Sequence, residues 1–173
     1  MPLRNWPRHW LFTDERLGDS LSPALARLPP GAGIVLRHYS LPPAGRLALA
    51  RRIVKARPDL LLVIAGEPLP LPSLTHVPRW SRRAPARPFT ASAHTPRELS
   101  RALLLGAGLI FLSPVFATRS HPGARALGPM RFATLARRSP VPVIALGGMT
   151  PARQHRLAPL GSHGFAAIDF WAR

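Results

Sequence analysis

The sequence contains no cysteine. That excludes a disulfide framework, a thiolate nucleophile and any cysteine-based zinc site. Acidic residues are scarce as well, seven Asp and Glu against 24 Lys and Arg, and only Asp14, Glu67 and Asp169 fall near the ends of strand-like segments. A hard divalent cation is usually held by one or two carboxylates, so no metal ligands are assigned. Lysine is nearly absent, Lys55 being the single one. No apolar run approaches the roughly 18 to 20 residues of a membrane span, and Met1 to Trp10 lacks the apolar stretch of a secretion signal. The expected location is the cytoplasm, with no membrane partner.

The net charge of +17 invites a nucleic-acid reading. The arginines, however, are scattered over helix-like segments, whereas a binding stripe concentrates them with interleaved aromatics. Nucleic acid is therefore not expected as the main partner; small anions are. The length of 173 residues fits one domain, taken as residues 1–173, with one core. It is short for an eightfold βα barrel, which typically takes about 250 residues.

Short runs of Val, Ile and Leu alternate with Ala/Arg/Leu stretches of helical period, the pattern of βαβ units around a parallel sheet. Eight strands are expected: Trp10 to Thr13, Gly33 to Arg37, Leu60 to Ala65, a weak one at Leu74 to Val77, Phe89 to Ala93, Leu109 to Ser113, Val141 to Leu146 and Gly164 to Ile168. Helices are expected over Leu21 to Arg27, Ala44 to Ala56, Pro96 to Leu105, Pro129 to Arg137 and Pro151 to Leu160. Proline suits a first helical turn, and Thr95 and Thr150 stand just before such prolines as N-caps. Between Glu67 and Pro88 six prolines forbid a long helix. The third helix should be missing, the fourth reduced to a turn around Ser81 to Ala86, and the eighth absent or a stub. The fold class is α/β, a trimmed (β/α)8 barrel with its third and eighth helices reduced or missing.

Candidate site residues gather at the strand ends. Gly147 and Gly148 follow a buried strand and precede the helix start at Thr150; bare amides and the helix dipole there suit a phosphate, although a Gly-Gly pair also makes an ordinary turn. The loop Thr118-Arg119-Ser120-His121-Pro122-Gly123 brings hydroxyls, a cation and an imidazole together, suiting an anionic heteroaromatic ligand that exchanges a proton. A capped turn stiffened by proline is its plain alternative. Ser92 and His94 share one side of the fifth strand; His94 is either a catalyst or a hydrogen-bonded structural histidine. Arg37 closes the second strand, where a bidentate guanidinium could meet an anion.

The stretch from Phe89 to Ile168 carries a Ser-Ala-His strand, a Ser-Pro-Val-Phe strand end with a Thr-x-Ser loop, and an Ala-Leu-Gly-Gly-Met-Thr strand end, in that order. It resembles the thiamine phosphate synthase and TenI family, and Leu11 to Arg16 and Gly33 to Ser40 are similar to that family's first two strand ends. The resemblance implies a TIM barrel that either couples a pyrimidine diphosphate to a thiazole phosphate or tautomerises the thiazole phosphate. It places thiazole phosphate at Thr118, Arg119, Ser120, Gly147, Gly148, Ile168 and Asp169, and the pyrimidine diphosphate at Arg37 and Ser92. His121 stands where the synthase has a lysine, so His121, His94 or His38 would serve as acid or base. Magnesium assists the synthase. Its Asn-Asp pair after the third strand is Ala65-Gly66 here, so magnesium is expected only if synthase activity is retained. The tautomerase's histidine is replaced by Pro114. An enzyme of thiamine biosynthesis is therefore expected, with an inactive barrel that binds a phosphorylated metabolite or a protein partner as the rival. Uncovered strand flanks suggest a homodimer.

Overall fold

A computed structural model describes residues 5–86, 88–118, 123 and 125–173. Its eight strands are β1 His9–Thr13, β2 Gly33–Leu36, β3 Leu61–Ala65, β4 Leu74–Val77, β5 Phe89–Ala93, β6 Leu109–Leu112, β7 Val143–Leu146 and β8 Gly164–Ala167. They pair in sequence order, all parallel, and β8 closes on β1 with His9 opposite Phe165. A parallel sheet of this kind is buried on both faces, which is why β2, β6 and β8 are buried at every position. The expected trimmed (β/α)8 barrel is the fold observed.

The helices are α1 Leu21–Arg27, α2 Pro43–Ala56, α3 Pro96–Leu105, α4 Gly128–Ala136, α5 Pro151–Leu157 and α6 Asp169–Ala172. Among the described residues no helix follows β3 or β4, as the prolines between them require. In place of the third helix, Leu69 and Leu71 pack against the core from an irregular segment. The eighth helix survives as the single turn of α6. Its Trp171 stacks on Phe165 and donates its indole N–H to the Trp10 carbonyl at 2.9 Å, sealing the β8–β1 junction. Among the described residues no helix is long and apolar enough to cross a membrane.

Both threonine caps form: the Thr95 hydroxyl accepts from the Glu98 N–H at 3.2 Å and Thr150 from the Arg153 N–H at 3.3 Å. Glu98 in turn accepts from the His94 N–H at 2.6 Å and from Arg79 at 2.9 Å. The reciprocal bonds at this helix start pin the end of β5 where His94 sits.

Edge-on rings fill the barrel: Phe111 contacts Trp10 and Phe12 with centroids 5.1 and 4.8 Å apart, and His76 joins them 5.6 Å from Phe12. Such pairs add about 0.5–1.5 kcal/mol each beyond simple burial. They put a solid floor beneath the carboxyl ends of the strands.

Candidate functional site

A cavity of about 550 Å³ opens at the carboxyl ends of the strands, bounded by Phe12, Arg37, His94, Ser113, Thr118, Gly147, Gly148, Arg153 and the start of α6. In a barrel of this kind that end carries the chemistry.

Its best-defined wall is the meeting of two loops. The Val115 N–H donates to the Leu146 carbonyl at 2.9 Å and the Phe116 N–H to the Gly147 carbonyl at 3.1 Å, so the segment after β6 is zipped onto the segment after β7. That closeness explains the glycines. Gly147 has φ of +96° and a Cβ there would stand 2.8 Å from the Pro114 backbone; Gly148 has φ of +60° and its Cβ would stand 2.5 Å from the Ala117 carbonyl oxygen. Only glycine meets both conditions without strain. Arg153, one turn into α5, donates to the Gly148 carbonyl and lies 4.5 Å over the Phe116 ring. The loops that carry Gly147, Gly148 and Thr118 thus share one cavity.

Arg37 enters from the far side. Its Nε donates to the Thr13 carbonyl at 3.1 Å, its Nη2 to Asp14 at 2.8 Å, and it lies 5.3 Å over Phe12. Burial lowers its pKa below the usual arginine range and Asp14 opposes the shift; a guanidinium remains a cation throughout. Asp14 also takes Arg16 at 2.6 Å. Arg16 is held above its usual pKa first by the hydrogen bond to Asp14 and further by the field of Asp169. The Asp169 carboxylate therefore lies within the electrostatic reach of a guanidinium. Ile168 and Asp169 both line the cavity, together with Arg173.

The histidines separate. His94 lines the mouth, its Nε2 3.1 Å from the Ser113 hydroxyl. His38 does not line it: the ring is buried, 3.1 Å from the Thr13 hydroxyl, and borders a second cavity of about 430 Å³ with Glu15, Asp19 and Arg52. Desolvation lowers the pKa of His38. Ser92 does not line the mouth either. Its hydroxyl lies one layer deeper, 2.8 Å from Nε2 of His76. Arg119, Ser120 and His121 lie outside the described residues.

His76 went unrecognised in the sequence. Its Nδ1 is 2.8 Å from the Thr90 hydroxyl, and desolvation in the barrel interior pushes its pKa down to about 3. Its signal was faint, one of two polar residues inside the weakest strand. Arg153 and Ser113 were also missed; the former is one arginine among many, the latter a strand-end serine before Pro114.

Among the described residues the lining thus holds three arginines (Arg37, Arg153, Arg173), one imidazole and one side-chain carboxylate. It suits an anion with a flat, partly apolar body.

The model of the thiamine monophosphate synthase family matches residues 81–170. An Aquifex aeolicus (strain VF5) protein named "Putative thiamine-phosphate synthase 2" is 30% identical over 181 residues, spanning 95% of this chain and 97% of that protein. A Salinibacter ruber thiamine-phosphate synthase is 35% identical over 79 residues, 45% of this chain and 35% of its own length. Among solved structures, a thiamine phosphate pyrophosphorylase from Pyrococcus furiosus superposes with a TM-score of 0.72 at 19% identity, covering 94% of this chain and 85% of the other. A geranylgeranylglyceryl phosphate synthase from Thermoplasma acidophilum, in complex with sn-glycerol-1-phosphate, superposes at 0.66 with 14% identity, covering 98% of this chain and 88% of the other. These last two likenesses speak to the fold.

Proposed function

Because the chain belongs to the thiamine monophosphate synthase family, we propose that it acts in thiamine biosynthesis by binding a thiazole phosphate at the barrel mouth and coupling it to a pyrimidine diphosphate. The carrying observation is the cavity wall at Gly147 and Gly148, where the loops after β6 and β7 are locked together beside Arg153 and Thr118. The thiazole phosphate occupies this side. Arg37, oriented by Asp14 and Thr13, takes the pyrimidine diphosphate on the opposite side. In this arrangement the thiazole nitrogen displaces diphosphate from the pyrimidine's methylene carbon. The protein contributes proximity and cationic stabilisation of the leaving group. Ser120 and Arg119 complete the thiazole side by resemblance, and Ser92 acts from below the mouth.

Family membership implies magnesium, and the residues at this mouth do not fit it. Asp14 is engaged by two guanidiniums, Asp169 lies in the field of Arg16, and the Ala65 carbonyl at the end of β3 accepts from Arg46. Among the described residues no group of three His, Asp or Glu side chains could hold an ion. No step is routed through a metal here.

A second reading has one observation in its favour: the His94 imidazole faces the cavity beside Ser113, which suits proton transfer on a bound thiazole, with His121 as the alternative acid or base by resemblance. The exposed Trp80 and Leu104 suit association into a homodimer, checked by light scattering. The decisive assay incubates the protein with both precursors and follows thiamine phosphate and released diphosphate. Product that disappears in Arg37→Ala supports coupling. Thiazole isomerisation without coupling selects the second reading, and binding of thiazole phosphate without turnover would leave an inactive barrel.

A further inference from the structure

Arg46 is an arginine of α2 that is only 6% exposed. Its Nη2 donates to the Ala65 carbonyl at 2.5 Å and its Nη1 to the Glu67 carbonyl at 3.5 Å. The Tyr39 ring lies 6.0 Å from it, and its Nε is buried without a hydrogen-bond partner among the described residues. No carboxylate pairs with it among those residues either. A buried guanidinium satisfied only by carbonyls is costly unless some anion offsets its charge.

The position of that charge gives it meaning. Ala65 and Gly66 form the carboxyl end of β3, and both Arg37 and Arg46 act electrostatically on the intervening His38 and Tyr39. Two guanidiniums therefore flank one segment at the ends of β2 and β3. A divalent cation needs several hard oxygen ligands close around it. Here the strand-end carbonyl is already capped by a donor, the carboxylate of Asp14, at the end of β1, is bonded to two arginines, and both guanidiniums repel a metal cation.

We infer that the Arg37–Arg46 pair is a built-in replacement for a metal ion, so that this mouth takes a diphosphate group directly, without a divalent cation. Arg37 makes the contact with the guanidinium N–H groups that it does not give to Thr13 and Asp14. Arg46 acts from behind as a fixed charge and is a positioning residue. This rests on the reading of the mouth as the substrate site, and it adds a specific claim about how leaving-group charge is balanced. The step itself is unaltered: the carbon–oxygen bond to diphosphate breaks, diphosphate departs with the electron pair, and the arginines stabilise the charge in place.

The test uses inorganic diphosphate as the probe and calorimetric titration of the whole protein, once in excess EDTA and once in excess magnesium. Binding in EDTA at least as tight as in magnesium is expected, with affinity falling as salt rises. Arg37→Ala should weaken it by about tenfold or more. Arg46→Met keeps the bulk and removes the charge; its expected effect is a loss of about tenfold, provided its melting profile shows a folded protein. If Arg46→Met does not fold, the wild-type comparison still decides. Binding only in magnesium overturns the inference while leaving the site reading intact. No binding of diphosphate in either buffer overturns both.

Discussion

Replacing His76 tests the barrel interior most directly. In the folded protein its imidazole is enclosed by Phe12, Phe111, Thr90 and Ser92, and desolvation depresses its pKa from 6.5 to about 3. The unfolded chain therefore binds a proton at this residue through a pH window in which the folded chain does not. Stability associated with the neutral ring is fully present above about pH 6.5 and is lost as pH falls toward about 3. Each pH unit inside the window costs about 1.4 kcal/mol, so the loss from pH 6.5 to about pH 5 is about 2 kcal/mol. The depressed pKa of Glu15, held at about 2 first by the Ser40 N–H, acts in the same direction at lower pH, so wild type alone does not isolate His76. His76→Gln keeps hydrogen-bonding capacity toward Thr90 and Ser92 and removes the titration. Urea unfolding at about pH 7 and about pH 5 should show wild type losing about 2 kcal/mol more than the variant across that interval. Equal losses in the two proteins would mean that the ring is protonated in the folded state, and the dry, enclosed interior would be wrong.

Gly148→Ala should lower stability by about 2 kcal/mol or more, since alanine at positive φ is strained and its Cβ meets the Ala117 carbonyl; chemical denaturation measures this, and a change within about 0.5 kcal/mol would refute the tight loop junction. Asp14→Asn removes the charge that both Arg16 and Arg37 use and should cost about 1–3 kcal/mol, read from the urea midpoint. An unchanged midpoint would show the pairing to be incidental. His94→Gln retains a partner for Ser113 but cannot shuttle a proton, so deuterium exchange into a bound thiazole should slow by about a hundredfold if the tautomerase reading holds.

Much of the fold was legible because the signals were redundant. β5 through α5 announce themselves by period, by Thr caps and by proline in the first helical turn, and α3 spans Pro96–Leu105 as expected. The prolines after Glu67 made the missing helices equally plain. The site was harder. Arg37 and His38 are neighbours at a strand end, and period-two alternation sends one to the mouth and the other to the second cavity; placing both at the substrate site, one to bind and one as acid or base, set that alternation aside. Ser92 and His94 do share a side, yet two residues of rise place Ser92 a layer deeper, where His76 claims it. Arg46 and Arg153 carried no sequence signal, because in a chain where nearly every cation is arginine the residue type says nothing about position.

Among the described residues no helix follows β3 or β4, which leaves the rim uneven. Helices follow β5, β6 and β7, while an irregular proline-rich strip follows β3, and Arg37 at the end of β2 lines the mouth from the far side. The vestibule consequently has a front and a back: glycine backbone with Arg153 on one arc, Arg37 held by Asp14 on the other. With no helix after β3 or β4 among its described residues, this short chain has a mouth whose two sides differ, as those of a symmetric barrel do not.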